Sequence, residues 1–179
     1  EWLVTMINQG IRIFNDDPVD IMYTSGHGDH NMWQMHYPTS GLEGFFRSSS
    51  GQVYGDPYSG ANFNINSDHP RIYFGLGNCY IGKILSGSSM VPSWIHTGGA
   101  YQYTGYVMYE GGTSHQHGGT KAYFYKAARQ YTWAEAYYLA NQALRFDMLN
   151  GTPGASPPDL NGSALYGDPG MLVRMSHEG

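Results

Sequence analysis

The chain has 179 residues, 41% of them hydrophobic and 13% charged, with a formal net charge of −5. That length suits one domain able to bury roughly 70% of the surface its unfolded form exposes, and so little charge beside so much apolar content excludes an intrinsically disordered chain. An acidic balance with no basic run excludes a phosphate-neutralising nucleic-acid surface. Apolar runs of only a few residues exclude a membrane-spanning helix, and one Cys excludes both an internal disulfide and a Cys-rich zinc site.

The chain opens at Glu1 inside a helical pattern, with Trp2, Leu3, Met6, Ile7, Ile11 and Ile13 following a period of roughly 3.6 residues. With neither an initiator Met nor a signal peptide, this start reads as a cut through a larger protein. Asn15-Asp16-Asp17-Pro18 predicts a turn. Residues 19–23 (VDIMY) predict a short buried strand, which ends in the Gly-bracketed polar loop 24–30. In open α/β sheets, ligands bind at such carboxyl ends of strands. Residues 37–70 hold Pro38, Gly41, Gly44, a Ser-Ser-Ser-Gly run at 48–51, Gly55-Asp56-Pro57 and Gly60, which predicts a long loop or insertion with room for a short hairpin.

Residues 71–74 (RIYF) predict a second buried strand, running into the segment 75–82. Residues 82–95 predict a helix broken near Pro92, and the aromatic-rich 100–109 a third strand. Gly111-Gly112 opens a loop that carries His115 and His117. Thr132 and Glu135 have capping-box spacing, Trp133, Tyr137, Ala140, Leu144 and Met148 form one face of the helix that follows, and Gly151 is its natural stop. A Pro/Gly linker spans 151–162, after which 165–169 predicts a turn entering a last strand at 171–174. Strands alternating with helices imply an α/β class with a mainly parallel sheet, and residues 1–179 read as a single domain without internal repeats.

Two strand ends carry the chemistry. Both VDIMYTSGHG and RIYFGLGNC run from a hydrophobic strand into small residues and then one reactive side chain, His27 or Cys79. On parallel neighbouring strands, both would lie at one edge of the sheet. A thiol with an unperturbed pKa of about 8.5 needs a base or cation nearby to become a useful nucleophile. A His with an unperturbed pKa of about 6.5 protonates a leaving group near neutrality. Gly28 permits close backbone approach, and its N–H, with that of Cys79, is a candidate oxyanion donor.

The pair IMYTSGHG and IYFGLGNC resembles the cysteine-peptidase clan of caspases, legumains, clostripain, separases and gingipains. The tail ALYGDPGMLVR at 164–174 is similar to the segment that closes gingipain-type catalytic domains. The resemblance implies a caspase-hemoglobinase-like three-layer sandwich with a mainly parallel sheet, here lacking its N-terminal strands. Those strands, and an acid that orients the His, would come from a preceding part of the same polypeptide. His27 would carry over as the catalytic His, Cys79 as the nucleophile and Gly28 as an oxyanion donor. The implied activity is a cysteine endopeptidase acting on a protein or peptide substrate, with a sortase-like transpeptidase or a non-catalytic surface or binding module as alternatives. Asn78 is larger than the Ala or Gly usual before the Cys, and the interval between His27 and Cys79 exceeds that of gingipains.

In that clan the residue before the scissile bond is chosen by loops after each strand, here 28–36, 80–82 and 109–119. Asp29 and Glu110 would suit a Lys or Arg at that position, against their ordinary use as solvated loop acids; Asn78 is a further candidate for substrate binding, and the scarcity of Arg argues against a pocket for Asp. The remaining histidines raise a metal alternative, since His27, Asp29, His30 and His36 cluster and His115 and His117 form an H-x-H pair. Neither set has diagnostic spacing. No cofactor is required by the dyad chemistry, while Asp29, Asp56, Asp68 and Asp168 leave calcium open, against their ordinary use as turn formers. Tyr101, Tyr103, Tyr106 and Tyr109 read as sheet packing, or in part as the lining of a cleft. Low Lys with abundant Tyr, Gly, Asn and Ser suggests a bacterial protein that is secreted or held at the cell surface.

Overall fold

The structure, a computed structural model, describes residues 20–24, 26–34, 44–75, 79–109, 120–151 and 162–172. The strands are β1 (Ile21–Tyr23), β2 (His27–Asp29), β3 (Met32–Gln34), β4 (Phe45–Ser49), β5 (Gln52–Asp56), β6 (Phe63–Ile65), β7 (Arg71–Gly75), β8 (Ala100–Tyr106) and β9 (Ser163–Gly167). The helices are α1 (Met90–His96), α2 (Thr120–Ala127) and α3 (Trp133–Leu149). The opening helix and turn expected at 1–18 lie outside the described residues, as does most of the linker 151–162.

The central sheet has the order β1-β7-β8-β9. β1, β7 and β8 run parallel, and β9 closes the edge antiparallel to β8. β7 is buried at every residue. A strand covered on both faces has no polar side to show, which is why RIYF reads as a continuous run rather than an alternation. Its side chains still divide between two cores. Tyr73 joins Met22, Trp94 and Tyr103 on one face. Ile72 and Phe74 meet Phe124, Trp133, Ala136 and Ala140 of α2 and α3 on the other.

The first face is covered by a second sheet of order β2-β3-β4-β5-β6, antiparallel throughout, together with α1. This overturns the expected caspase-hemoglobinase-like sandwich with a mainly parallel sheet. Of the nine described strands, five belong to the separate antiparallel sheet, and β9 is antiparallel in the central one. The cause is connection length. Strands of three to five residues, with two-residue turns between β2 and β3 and between β4 and β5, pair with their sequence neighbours, whereas parallel pairing needs a crossover of about a dozen residues. Within the stretch 37–70, read as a loop or insertion with room for a short hairpin, β4 and β5 form a hairpin to which β6 adds a third strand. Ser50 and Gly51, with φ of 52° and 77°, turn β4 into β5 through the doubly left-handed conformation that matches hairpin twist.

The two sheets are joined through aromatic rings. Trp33 stacks on Phe46 at 5.2 Å, Phe46 meets Trp94 edge-on at 6.0 Å, and Trp94 lies 5.1 Å from Tyr73. Tyr73 stacks on Tyr103 at 4.4 Å. Trp94 comes from α1, which is shorter than the helix expected over 82–95 and is not broken at Pro92. Ser89 is its N-cap, so Pro92 falls in the first turn, where N–H groups lack intrahelical acceptors and a missing one costs little.

On the other face, α3 begins as its capping box predicts. The Thr132 hydroxyl accepts from the Glu135 N–H at 3.4 Å, and the Glu135 carboxylate accepts from the Thr132 N–H at 3.0 Å. Trp133, Ala136, Ala140 and Leu144 are buried, and Gly151 takes a φ of 69° past the helix end. The Thr132 hydrogen bonds hold the Glu135 carboxyl below the ordinary carboxylate range. A depressed folded pKa stabilises above the unfolded pKa, and that gain is lost as pH falls through the folded value. Thr132→Ala is expected to cost about 1 kcal/mol at neutral pH. Urea titrations at neutral and acidic pH should show that difference narrowing on the acid side. β9 runs into the Gly-Asp-Pro turn at Gly167; of the last strand expected at 171–174, Leu172 forms a bridge with Thr132, and residues 173–174 lie outside the described residues.

Candidate functional site

Residue pairing sets the geometry of the site. Ile21, Met22 and Tyr23 of β1 lie opposite Ile72, Tyr73 and Phe74 of β7, in parallel. The chain beyond Tyr23 and the chain beyond Gly75 therefore leave the sheet at the same edge, its carboxyl edge. His27 follows the first exit and Cys79 the second. His27 is exposed and Cys79 is partly exposed. His27 does not sit in a loop, as expected, but opens β2, where it lies opposite Gln34.

Both exits are clamped. On the His side, Thr24 is buried, its N–H donates to the Phe74 carbonyl at 3.0 Å, and its hydroxyl lies 2.8 Å from the Tyr73 hydroxyl. On the Cys side, the Tyr80 N–H donates to Met108 O at 3.1 Å and the Gly82 N–H to Tyr106 O at 2.8 Å. The Tyr103 hydroxyl donates to Ile81 O at 2.8 Å, and the Tyr166 hydroxyl to Gly82 O at 2.6 Å. Gly82 lies so close to β8 that a Cβ there would stand 2.4 Å from Gly105 O, so only glycine permits this approach. The turn that carries Cys79 is thus held at four points, two on β8 (Tyr103 and Tyr106), one on Met108 just beyond it and one on Tyr166 of β9. Buried tyrosines usually find such a partner for the hydroxyl.

Tyr80 has a φ of 53°, a left-handed conformation rare for a bulky side chain. Nothing in the dipeptide Cys79-Tyr80 signals it, since the residues that announce positive φ are Gly, Asn and Asp. Such strain recurs beside reactive groups. Tyr23, at the end of β1, is 42% exposed as a residue, while desolvation pushes its phenol up to about 12. Burial also drives the phenols of Tyr73 and Tyr103 upward.

Of the other expected site residues, Gly28 lies in β2 opposite Trp33, and Asp29 is exposed, its carboxylate accepting the His30 N–H at 2.6 Å. Asn78, Glu110, His36, His115 and His117 lie outside the described residues. Neither arginine between His27 and the 109–119 loop offers a charge at this edge. Arg71 is fully buried at the opposite, amino end of β7, where Ser67 Oγ accepts from it at 2.8 Å. Arg47 pairs with Asp56 at 2.6 Å and covers the Phe45 ring. Among the described residues no group of three or more His, Cys, Asp or Glu side chains is placed to hold a metal ion. The acids considered for calcium are dispersed: Asp56 serves Arg47, Asp29 the His30 turn, and Asp168 the Gly170 N–H at 2.8 Å. Among the described residues, no helix is long and apolar enough to cross a membrane. Comparison with family models, curated proteins and solved structures found no match.

Proposed function

We propose that the chain is a cysteine-type hydrolase of peptide bonds that works through Cys79 and His27. The observation that carries this reading is the parallel pairing of β1 with β7, by which the segments that lead to His27 and to Cys79 leave the central sheet at one edge. In the reaction, the Cys79 thiolate attacks the substrate carbonyl carbon, and the C–N bond breaks as His27 protonates the leaving amine. Water then attacks the thioester, gives a proton to His27, and the C–S bond breaks to restore the thiolate. Backbone N–H groups, with Gly28 and Cys79 as candidates, stabilise the oxyanion of each tetrahedral intermediate. The clamped turn supports this role, since a nucleophile held in place does not lose rate to misorientation. The partial exposure of Cys79 favours the enzyme over a binding module with a thiol sealed in apolar packing. Labelling with a peptidyl acyloxymethyl ketone tests the reading: a Cys79 adduct is expected, and labelling that survives Cys79→Ala would refute it.

Asp29 extends the proposal to substrate preference. It lies two residues from His27 in β2, hence on the same side of the strand. Its carboxylate would favour a Lys or Arg before the scissile bond. Because Asp29 is exposed, the discrimination is modest. Asp29→Ala is expected to lower kcat/KM for Lys and Arg substrates roughly two- to fivefold relative to neutral ones. A fluorogenic panel varying that one residue checks it, and a native preference for Asp or for apolar residues would refute it.

A further inference from the structure

We propose that Tyr80 and Tyr109 form the wall that receives a large apolar side chain of the molecule reacting at Cys79; this rests on the reading of Cys79 as the nucleophile. Exposed apolar residues scattered singly are ordinary, but a contiguous set beside a reactive group is informative. Tyr80 is the chain neighbour of Cys79, and its ring centroid lies 6.5 Å from that of Tyr109. Tyr109 is 75% exposed and the adjacent Met108 40%. Ile84 and Leu85, a few residues further along the chain, are 50% and 59% exposed. This surface is also preorganised. The Tyr80 N–H is bonded to Met108 O, and the Tyr80 backbone is held left-handed, so the two tyrosine-bearing segments are tied together before any ligand arrives. Tyrosine offers a rigid apolar face at small entropic cost.

The chemistry of the occupant follows from Lys83. Its ammonium already lies over the Tyr80 ring, 5.0 Å from the centroid. The attraction of that ring for a cation is thereby engaged, and a second positive charge would be repelled. An uncharged apolar or aromatic side chain, which stacks edge-to-face or offset on tyrosine, suits the wall. This position is distinct from the basic side chain proposed for Asp29, which lies on the His27 side.

The test uses two chloroacetamides, one bearing a phenethyl group and one an ethyl group, on the native chain. Because Cys79 is the one Cys of the chain, intact mass reports its alkylation without ambiguity. After normalisation to the same reagents on a small-molecule thiol, the phenethyl reagent is expected to react about tenfold faster, the equivalent of ~1.4 kcal/mol. Tyr109→Ala should bring the ratio close to one, and Tyr109→Phe, which keeps the ring, should retain it. A native ratio near one, or a ratio unaffected by Tyr109→Ala, would overturn the proposal. No turnover is needed for this readout. A normal ratio without hydrolysis keeps the wall and refutes the peptidase, whereas hydrolysis with a ratio near one keeps the peptidase and refutes the wall.

Discussion

Replacing Cys79 by Ala is expected to reduce peptide hydrolysis to the uncatalysed background, and replacing His27 by Ala to lower kcat by about 10²–10⁴-fold. The two effects differ for a chemical reason. Without Sγ no thioester forms, so the covalent route is closed. Without the imidazole, the thiol can still ionise and attack, but the leaving amine departs unprotonated and water attacks the acyl group unassisted. The loss should therefore be smaller with ester substrates, whose leaving groups need no proton. Progress curves with matched amide and ester peptides check this. Equal losses on both would mean that His27 supports the fold rather than proton transfer. His27 is exposed at the start of β2, so its replacement removes little packing, and thermal melting should be nearly unchanged.

The second large effect is structural. Trp94→Ala is expected to cost about 3–5 kcal/mol, the loss typical of truncating a buried aromatic. Trp94 is fully buried and meets both Phe46 of the antiparallel sheet and Tyr73 of the central sheet. Removing it opens a cavity where the two sheets join, and neither ring can fill it without leaving the stack. Against a typical domain stability of about 5–15 kcal/mol, this is a large share. Urea denaturation should show a lower midpoint for Trp94→Ala than for Ile95→Ala, since Ile95, the next residue of α1, is half exposed. Equal midpoints would show that the sheets are not held together at this ring.

The parts of this fold that sequence patterns reveal are those with a strong local signature. β7 and β8 are buried in a sheet with layers on both faces, so their apolar runs stand out. α3 carries a capping box and a regular apolar face. The antiparallel sheet carries no such mark. β2 is His-Gly-Asp, without an apolar side chain, and β4 ends in serines that resemble a linker. Its hairpin turns at Ser50-Gly51 rather than at the Asn-Gly or Asp-Gly that usually announces such a turn. Those strands are defined by pairing and by what they cover, both of which are tertiary facts. α2 falls in a stretch, after the Gly118-Gly119 loop, to which the sequence patterns assign no element.

The site divides in the same way. His27 and Cys79 are legible because each follows an apolar strand through small residues, and the pairing of β1 with β7 places those strands side by side. The clamp on the Cys79 turn is not legible. It depends on Tyr103, Tyr166 and the close approach of Gly82 to Gly105, which are distant in sequence. Tyr106 is buried among the rings that face α2 and α3, and Tyr103 in the aromatic stack, whereas Tyr101 and Tyr109 are exposed. Composition alone cannot separate these roles within one run of tyrosines.

The central claim is that Cys79 forms an acyl intermediate that His27 helps to hydrolyse. Mixing the chain with an activated peptide ester and recording intact mass tests it most directly. The account predicts a mass increase equal to the acyl group, mapped to Cys79, that is transient in the native chain and accumulates in His27→Ala. No acyl adduct on Cys79 in either protein, or an adduct equally long-lived in both, would contradict it.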